Sequence, residues 1–318
     1  MPGDVALVLA GALLLALLID RLWGEPPAVV HPVVGVGHYL GAVGRYLPDL
    51  PPWAAYLGGA LAWCAGVGVL GGLAWWLQQA VLQHLAVWLA VPVLALLLKP
   101  LLAWRMLRDE VLAVEDALAM SLDAGRQRLS RIVSRDTRAL SETEVRESAI
   151  ETLAENLNDS VVAPVFWFVL LGLPGAVVYR FANTADAMWG YRGMHNGRYW
   201  EWAGKWAARA DDVLSWLPAR VTALLLGLVV RRMRWSALPV EARRTPSPNS
   251  GWPMAAMALA LQVRLGKPGA YVLHAQGRAP VAADTAAALI YASKSVLASA
   301  VAGSIAILFI PMWGPLNG

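Results

Sequence analysis

The sequence contains little charge and only one cysteine. Charged residues make up 15% of its 318 residues, whereas about a quarter of a soluble domain is charged. A single thiol, Cys64, excludes a disulfide framework and a zinc site built from several cysteines. The arginines are spread over several segments without a basic block, so we expect no nucleic-acid partner despite the net charge of +4.

Long apolar runs take the place of the missing charge. Hydrophobic residues form 58% of the chain and the mean hydropathy is +0.51, which predicts an integral membrane protein in a lipid bilayer. Clear spans are predicted at 5–19, 53–76, 80–101 and 295–312. Asp20 and Arg21 end the first run abruptly and no basic residue precedes it, which favours a retained span over a cleaved signal peptide.

Two further apolar stretches are interrupted. Residues 160–179 contain Gly172-Leu-Pro-Gly175, and residues 213–230 contain a proline and an arginine. Each interruption leaves about ten apolar residues in a row, too few to cross a bilayer core. If neither stretch crosses, all lysines and arginines border one face, as the positive-inside rule favours. If both cross, segment 180–212 faces outward; we predict the first arrangement.

The predicted fold class is therefore all-α, since no clear strand pattern or internal repeat is present. We predict a polytopic protein with about four transmembrane helices and a re-entrant or buried hairpin at 160–179. Segments 20–52 and 102–294 would form a helical assembly on the cytoplasmic face, and residues 1–318 would be one domain. The expected location is the cell (inner) membrane, with the active site facing the cytoplasm.

An acidic helix is the most informative polar segment. Ser141 and Glu144 form a capping box that predicts its start. One face is apolar at every fourth position: Val145, Ala149, Leu153 and Leu157. Another is acidic: Glu147, Glu151, Glu155 and Asp159, with Asn158 adjacent. Like charges at this spacing repel, so a divalent cation or facing arginines would stabilise them. The alternative is a solvated face, but the helix runs into apolar residues, so we expect its last acidic turn to be partly buried.

Three other segments combine carboxylates or amides with arginine. They contain Arg135 and Asp136; Asn183, Asp186 and Arg192; and Arg209, Asp211 and Asp212. Oxygen ligands three residues apart on a helix suit Mg²⁺, commonly alongside substrate phosphates. Helix capping is the alternative reading of such pairs.

Two turns complete the set of candidate sites. Ser247, Asn249 and Ser250 precede a helix that begins near Pro253, where backbone N–H groups and hydroxyls would bind a phosphate. An ordinary turn with a helix cap is the alternative. Asp20 and His31 follow the first span and form either a ligand site or a juxtamembrane ion pair.

Seven motifs in order along the chain carry a family resemblance. They are DRLWGEP with HPVVGVG (20–37), KPLLAWR (99–105), SRDTRALSE (134–142), ESAIETLAENLNDSVVAPVFWF (147–168), LGLPGAVVYRFANTADAMWGY (171–191), ARADDVLSWLPARVTALLL (208–226) and SPNSGWPMAAMALALQVRLG (247–266). The chain thus resembles the adenosylcobinamide-phosphate synthase (cobinamide synthase, CobD/CbiB) family of cobalamin biosynthesis. It departs from the family pattern at Met254, where many members have an acidic residue, and after Tyr271.

The resemblance implies an amide-forming ligase. It would join (R)-1-amino-2-propanol, free or as its O-phosphate, to a propionate carboxylate of the corrinoid adenosylcobyric acid. ATP would be the co-substrate, through an acyl phosphate, and Mg²⁺ the cofactor. Other membrane enzymes of late cobalamin synthesis are the expected partners.

The polar segments above provide the residues that this chemistry needs. Candidate catalytic residues are Glu155, Asp159, Asp186 and Asp212. Candidate substrate- or phosphate-binding residues are Arg135, Asp136, Arg192, Arg209, Ser247, Asn249, Ser250, Asp20 and His31. Candidate metal ligands are Glu151, Asn158, Asn183 and Asp211.

Two alternatives to an enzyme remain from the sequence. An AmpE-like sensory or signalling protein shares this general architecture but would not need so many polar motifs. A transporter would carry ionisable residues in the middle of its spans, whereas the spans 53–76 and 80–101 carry theirs near the ends.

Overall fold

A computed structural model describes residues 2–230 and 233–309. Their α-helices are α1 Pro2–Trp23, α2 Pro32–Gly44, α3 Pro52–His84, α4 Val87–Leu98, α5 Trp104–Met120, α6 Leu122–Leu129, α7 Glu142–Leu157, α8 Ala163–Trp189, α9 Lys205–Leu214, α10 Trp216–Leu228, α11 Leu238–Ala242, α12 Gly251–Leu261 and α13 Ala282–Phe309. The mostly helical class is confirmed. The structure also contains two short antiparallel hairpins, which no clear strand pattern predicted: β1 Met194–His195 with β2 Arg198–Tyr199, and β3 Leu265–Lys267 with β4 Tyr271–Leu273.

Five helical stretches are long and apolar enough to cross a membrane. They are Asp4–Trp23, Pro52–His84, Val87–Met120, Glu142–Trp189 and Ala282–Phe309. These helices are typical of a membrane protein, but they are one more than the predicted four, because the stretch containing 160–179 is among them. The predicted count is therefore not confirmed. The end of the predicted span 295–312 lies outside the described residues.

The chain forms two compact units. Unit 1 comprises the described residues within Met1–Ala103, Ala163–Leu214 and Ala300–Gly318. Unit 2 comprises Trp104–Val162 and the described residues within Ser215–Ser299. The prediction of a single enzyme domain over 1–318 stays a prediction.

In unit 1, α1 packs against α4, and α8 packs against α2, α3 and α9. Leu40, Trp63, Phe181 and Trp189 lie in the core between α2, α3 and α8. The outer surface of α3 is apolar, with exposed Leu61 among others. An exposed apolar surface on such a helix is what contact with lipid requires.

The predicted interruption of 160–179 is present as a kink at Gly172. This residue has φ +68° and ψ −155°, a conformation that essentially only glycine adopts. The buried side chain of Gln78 accepts a hydrogen bond from the Leu173 N–H through Oε1 at 2.7 Å. Gln78 thereby satisfies a backbone donor that the kink removes from the helix. Helix α3 extends past Gln78 to His84, so the predicted boundary between the second and third spans, near 77–79, is wrong; the break lies at residues 85–86.

In unit 2, α7 packs against α5, α6, α12 and β3, while α10 packs against α12. The capping box at the start of α7 is present, since Glu144 accepts from the Ser141 N–H and Ser141 Oγ accepts from the Glu144 N–H. The apolar face of α7 is buried as predicted. Helix α7 is therefore a central element of unit 2.

Candidate functional site

The acidic face of α7 is buried more deeply than the sequence predicted. Glu147 and Glu151 are 4% and 1% exposed, and Glu155 is half-buried. The sequence predicts burial only for the last acidic turn. A solvated helix face is the usual expectation for charged residues, and this expectation is wrong for Glu147 and Glu151.

Arginines from other segments of unit 2 pair with this buried face. Arg135 Nη2 donates to Glu151 Oε2 at 3.2 Å, and its Nη1 donates to Ser148 Oγ at 3.2 Å. Arg264 Nε donates to Glu147 Oε1 at 3.0 Å. Facing arginines were one of the two predicted ways to stabilise the acidic stripe. Their presence shows that α7 is held as an ion-paired element in the interior of the unit.

Two atoms of the Glu151 carboxylate differ in their surroundings. Oε2 is paired with Arg135, whereas Oε1 is buried and has no hydrogen-bond partner among the residues that the structure describes. The hydroxyl of Tyr271 interacts with this carboxylate and lies 3.8 Å from Met254 Sδ. Burial, and then the charges of Glu151 and Glu155, raise the pKa of Tyr271 above its ordinary value, so the phenol stays protonated.

The helix changes geometry where its acidic face ends. Residues Asn158–Val162 form a π-helical turn, a local form that often occurs at functional sites. The buried Asn158 amide donates to Asp159 Oδ1 at 2.8 Å and accepts from Thr222 Oγ1 at 2.9 Å. The turn thus fixes the direction of Asn158 and Asp159, and the predicted metal-ligand oxygen of Asn158 already accepts one hydrogen bond.

Asp136 lies apart from this cluster. It is exposed and pairs with Arg138 through Oδ2 at 2.7 Å, which lowers the pKa of Asp136 to about 2. Arg135 and Asp136 are adjacent in sequence but point to different neighbours. The predicted substrate-binding role of Asp136 stays a prediction.

The turn before α12 is bonded mainly to itself. Ser247 Oγ accepts from the backbone N–H groups of Asn249 and Ser250, both at 3.2 Å. The buried Asn249 accepts from Arg220 Nη1 at 3.0 Å. The Arg220 guanidinium in turn stacks on Trp216 and Trp252, 4.3 Å and 4.7 Å from their ring centroids. These bonds fit an ordinary structural turn, and phosphate binding by Ser247, Asn249 and Ser250 stays a prediction.

Unit 1 holds a second polar cluster. Arg192, Arg209 and Asp212 line one cavity of about 280 Å³. Burial raises the pKa of Asp212, and the positive charges of Arg209 and then Arg192 oppose this rise. Lys205 lines the same cavity. The structure therefore brings three of the predicted residues together around a small space with more positive than negative side chains.

The predicted metal ligands of unit 1 are also close together. Asn183 Nδ2 lies 3.5 Å from Asp211 Oδ1, and Asp186 follows Asn183 by one turn of α8. Among the described residues, no three His, Cys, Asp or Glu side chains form a metal-binding group. Magnesium often takes only one or two protein carboxylates, with substrate phosphates and water as its other ligands. Asn183 faces Asp211 with its amide nitrogen, which is not a metal ligand, so magnesium binding by Asn183 and Asp211 stays a prediction.

Asp20 and His31 belong to an ion-pair cluster at the end of α1. Lys99 Nζ lies 3.5 Å from the fully buried Asp20 Oδ1 and 3.1 Å from Glu25 Oε2. His31 Nε2 lies 2.8 Å from the same Glu25 oxygen. The juxtamembrane ion pair was one of two predicted alternatives, and the structure identifies Lys99 as its cation. A substrate-binding role for Asp20 and His31 stays a prediction.

Comparison with known proteins identifies the family. A family model described as CobD/Cbib protein matches residues 13–297. The chain belongs to the CobD/CbiB family. A "Probable cobalamin biosynthesis protein CobD" of Methanothermobacter thermautotrophicus is 40% identical over 267 residues, which cover 82% of this chain and 85% of the relative. The protein with the same name from Pyrococcus furiosus is 42% identical over 280 residues, 86% and 90% of the two chains.

A bacterial relative gives a similar result. The "Cobalamin biosynthesis protein CobD" of Chromobacterium violaceum is 43% identical over 263 residues, which cover 79% of this chain and 80% of the relative. No solved structure gives a significant match. The resemblance to the CobD/CbiB family that the seven motifs indicated is thereby confirmed.

Sequence reasoning missed several polar residues around α7 of this CobD/CbiB-family chain. They are Arg264, Lys267, Tyr271 and Thr222. Three of them belong to or border the hairpin β3–β4, whose strands of three residues are too short to show an alternating pattern. The available signal was Lys267-Pro-Gly269, a turn sequence that leaves Lys267 and Tyr271 at its two ends.

Proposed function

We propose that this CobD/CbiB-family protein is an enzyme of cobalamin biosynthesis that joins an aminopropanol arm to a corrinoid by an amide bond. The family match over residues 13–297, with relatives named for cobalamin biosynthesis, carries this proposal. The substrates would be adenosylcobyric acid, (R)-1-amino-2-propanol or its O-phosphate, and ATP. The enzyme would thus be a carbon–nitrogen ligase.

The chemistry of amide formation sets what the site must supply. Condensation of a carboxylate with an amine is unfavourable in water, so the carboxylate is first activated as an acyl phosphate with release of ADP. The amine nitrogen then attacks the carbonyl carbon, the C–O bond to phosphate breaks, and inorganic phosphate and one proton are released. The residues must bind phosphate, orient the amine and accept that proton.

The cluster on α7 supports the proton-accepting role. Glu155 lies near Glu151 and Asp159, whose charges repel its own, and near Lys267 and Arg135, whose charges attract it. A carboxylate in hydrogen-bond reach of the amine is a suitable general base. We assign Glu155 as this base. Asp159 is the neighbouring carboxylate whose charge acts on Glu155.

The unit 1 cluster supports the binding of anions. Arg192, Lys205 and Arg209 line its cavity and would bind phosphate oxygens or corrin carboxylates. Asn183 and Asp211 would hold Mg²⁺, with Asp186 beside them. The ion would neutralise charge on the nucleotide phosphates when bound. Asp212 would accept hydrogen bonds from a bound ligand, or it would orient the neighbouring Arg192 and Arg209 side chains.

A conversion assay tests the function. The full chain in lipid nanodiscs is incubated with cobyric acid, aminopropanol O-phosphate, ATP and Mg²⁺, and the corrinoids are analysed by mass spectrometry. We expect the mass of the amide product only when all components are present. Glu155→Gln should abolish it, while Glu142→Gln, an exposed residue at the start of α7, should not. An AmpE-like sensory protein would give no product with any component set.

The proposed location is the cell (inner) membrane, with the active site facing the cytoplasm. Cysteine labelling tests this in a Cys64→Ser background, because the native Cys64 is exposed on α3. Tyr199→Cys places a thiol on the exposed strand β2. Labelling of intact cells by a membrane-impermeant maleimide would contradict the proposed side, whereas labelling only after lysis would support it.

A further inference from the structure

Helix α10 of unit 2 carries an exposed apolar stripe. Its four members recur at positions i, i+4, i+7 and i+11, so they share one side of the helix: Leu217, Val221, Leu224 and Leu228. Leu217, Leu224 and Leu228 are exposed, and Val221 is partly exposed. A continuous row of large apolar side chains on the outside of a protein marks a surface that meets another apolar partner. The stripe is therefore expected to be covered.

The length and packing of α10 decide how this stripe can meet lipid. The helix has 13 residues, which is about 20 Å of helix, whereas a bilayer core is about 30 Å thick. Its opposite side packs against α12, and Thr222 Oγ1 on that side donates to Asn158 Oδ1 at 2.9 Å. A helix that is too short to cross and is apolar on its only open side is suited to lie in the plane of the membrane surface.

One edge of the stripe is aromatic and basic. The Arg220 guanidinium stacks on the exposed ring of Trp216. The ring of Trp235 packs against Gly227, where an added Cβ would overlap it, and Gly227 lies two turns after Arg220 on the same edge. Trp235 and its neighbour Arg234 are exposed. Tryptophan is enriched where hydrocarbon meets lipid headgroups, and arginine binds phosphate oxygens. This edge therefore has the chemistry of a headgroup contact.

We propose that α10 lies flat at the membrane surface, with the apolar stripe among the lipid acyl chains and with Arg220 and Arg234 at the lipid phosphates. The same chain has five helical stretches long and apolar enough to cross a membrane, so a bilayer is available to this helix. The basic edge complements phosphate, which a purely apolar protein partner would not use. Membrane attachment by α10 does not depend on the proposed reaction. Through Thr222, it holds the turn at Asn158 near the lipid surface.

Spin labels on the full chain in nanodiscs measure the depth of α10. Cys64 is the only cysteine, so single labels are attached in a Cys64→Ser background to Leu217→Cys, Leu224→Cys and Leu228→Cys, all at exposed positions. Collision rates of each nitroxide with oxygen, which partitions into lipid, and with a water-soluble nickel chelate give its depth. We expect the same depth for all three labels, about 5–10 Å into the boundary between headgroups and acyl chains.

Two reference labels calibrate the measurement. Leu61→Cys, on the exposed apolar surface of α3, should report a deeper position, and Arg138→Cys, on an exposed side chain of unit 2, should report water. A label on Arg234→Cys should lie nearer to water than the stripe labels, at the level of the phosphates.

Three results would overturn the proposal. A depth that changes steadily between Leu217 and Leu228, by roughly 16 Å at about 1.5 Å per residue, would show that α10 crosses the bilayer. Frequent collisions of all three stripe labels with the nickel chelate would show that this side of α10 faces water. Rare collisions with both reagents would show that protein covers the stripe, which in a purified sample means a second copy of the chain.

Discussion

The ion pair between Arg135 and Glu151 allows a quantitative test of the interior of unit 2. Arg135 provides the hydrogen bond to Glu151 Oε2 and another to Ser148 Oγ. Glu151 is 1% exposed, and its Oε1 has no hydrogen-bond partner among the described residues. Replacing Arg135 by methionine would leave a buried carboxylate without the guanidinium that pairs with it.

The expected cost follows from this geometry. Removing one partner of a buried ion pair costs about 3–5 kcal/mol. Because the Arg135 side chain is 18% exposed, water reaches part of the pair, so Arg135→Met should cost about 3 kcal/mol, the lower end of that range. Adding Glu151→Gln removes the buried charge. This should restore about 1–2 kcal/mol of the free energy of unfolding, because a neutral amide costs less to bury than an unpaired carboxylate. Activity should fall in both variants, because the charges of Arg135 and Glu151 both act on Glu155, the proposed base.

Reversible unfolding of the detergent-solubilised protein measures these free energies. The matched control is Arg138→Met, which removes the partner of exposed Asp136 and should leave the free energy of unfolding unchanged within error. Wild-type stability of Arg135→Met would show that the ion pair does not stabilise unit 2. A double variant with Glu151→Gln no more stable than Arg135→Met alone would show that the unpaired Glu151 charge is not the cause of the loss.

Three further perturbations follow from other parts of the structure. Gly172→Ala should destabilise the protein by about 2–4 kcal/mol in the same unfolding assay, because φ is positive at this residue and an added Cβ would overlap Gln78. The control Gly68→Ala should not destabilise the protein, because the space around Gly68 is open. Because the pKa of Tyr271 is raised in the folded protein, the free energy of unfolding should fall as the pH rises above about 10, the pKa of tyrosine in the unfolded chain. Tyr271→Phe should remove this fall. Identical stability profiles of the two proteins at alkaline pH would contradict the raised pKa of Tyr271. Asp211→Asn should raise the Mg²⁺ concentration for half-maximal turnover about tenfold or more, and an unchanged Mg²⁺ dependence would exclude Asp211 as a ligand.

Local patterns made α7 and the kink in α8 predictable. The capping box depends on residues three apart in sequence, so Ser141 and Glu144 were sufficient to place the start of α7. Glycine and proline within four residues likewise indicated the interruption at Gly172. Both features are determined by backbone hydrogen bonding within one turn of helix.

Contacts between distant segments were not predictable in the same way. The burial of Glu147 depends on Arg264, which lies 117 residues further along the chain. The buried side chain of Gln78 has its partner 95 residues away, in the Leu173 N–H at the kink of α8. Neither partner leaves a periodic signal in the sequence. The same holds for Tyr271, which reaches α7 only because the short hairpin folds against it.

The proposed reaction is amide formation from a corrin carboxylate that ATP activates. Cobyric acid labelled with ¹⁸O in its reacting carboxylate tests this directly, with the wild-type chain in nanodiscs, amino phosphate, ATP and Mg²⁺. We predict one ¹⁸O retained in the amide product and one transferred to inorganic phosphate, in equal amounts. Amide formation with the label released to water would exclude an acyl phosphate, and the absence of any amide would exclude the proposed reaction.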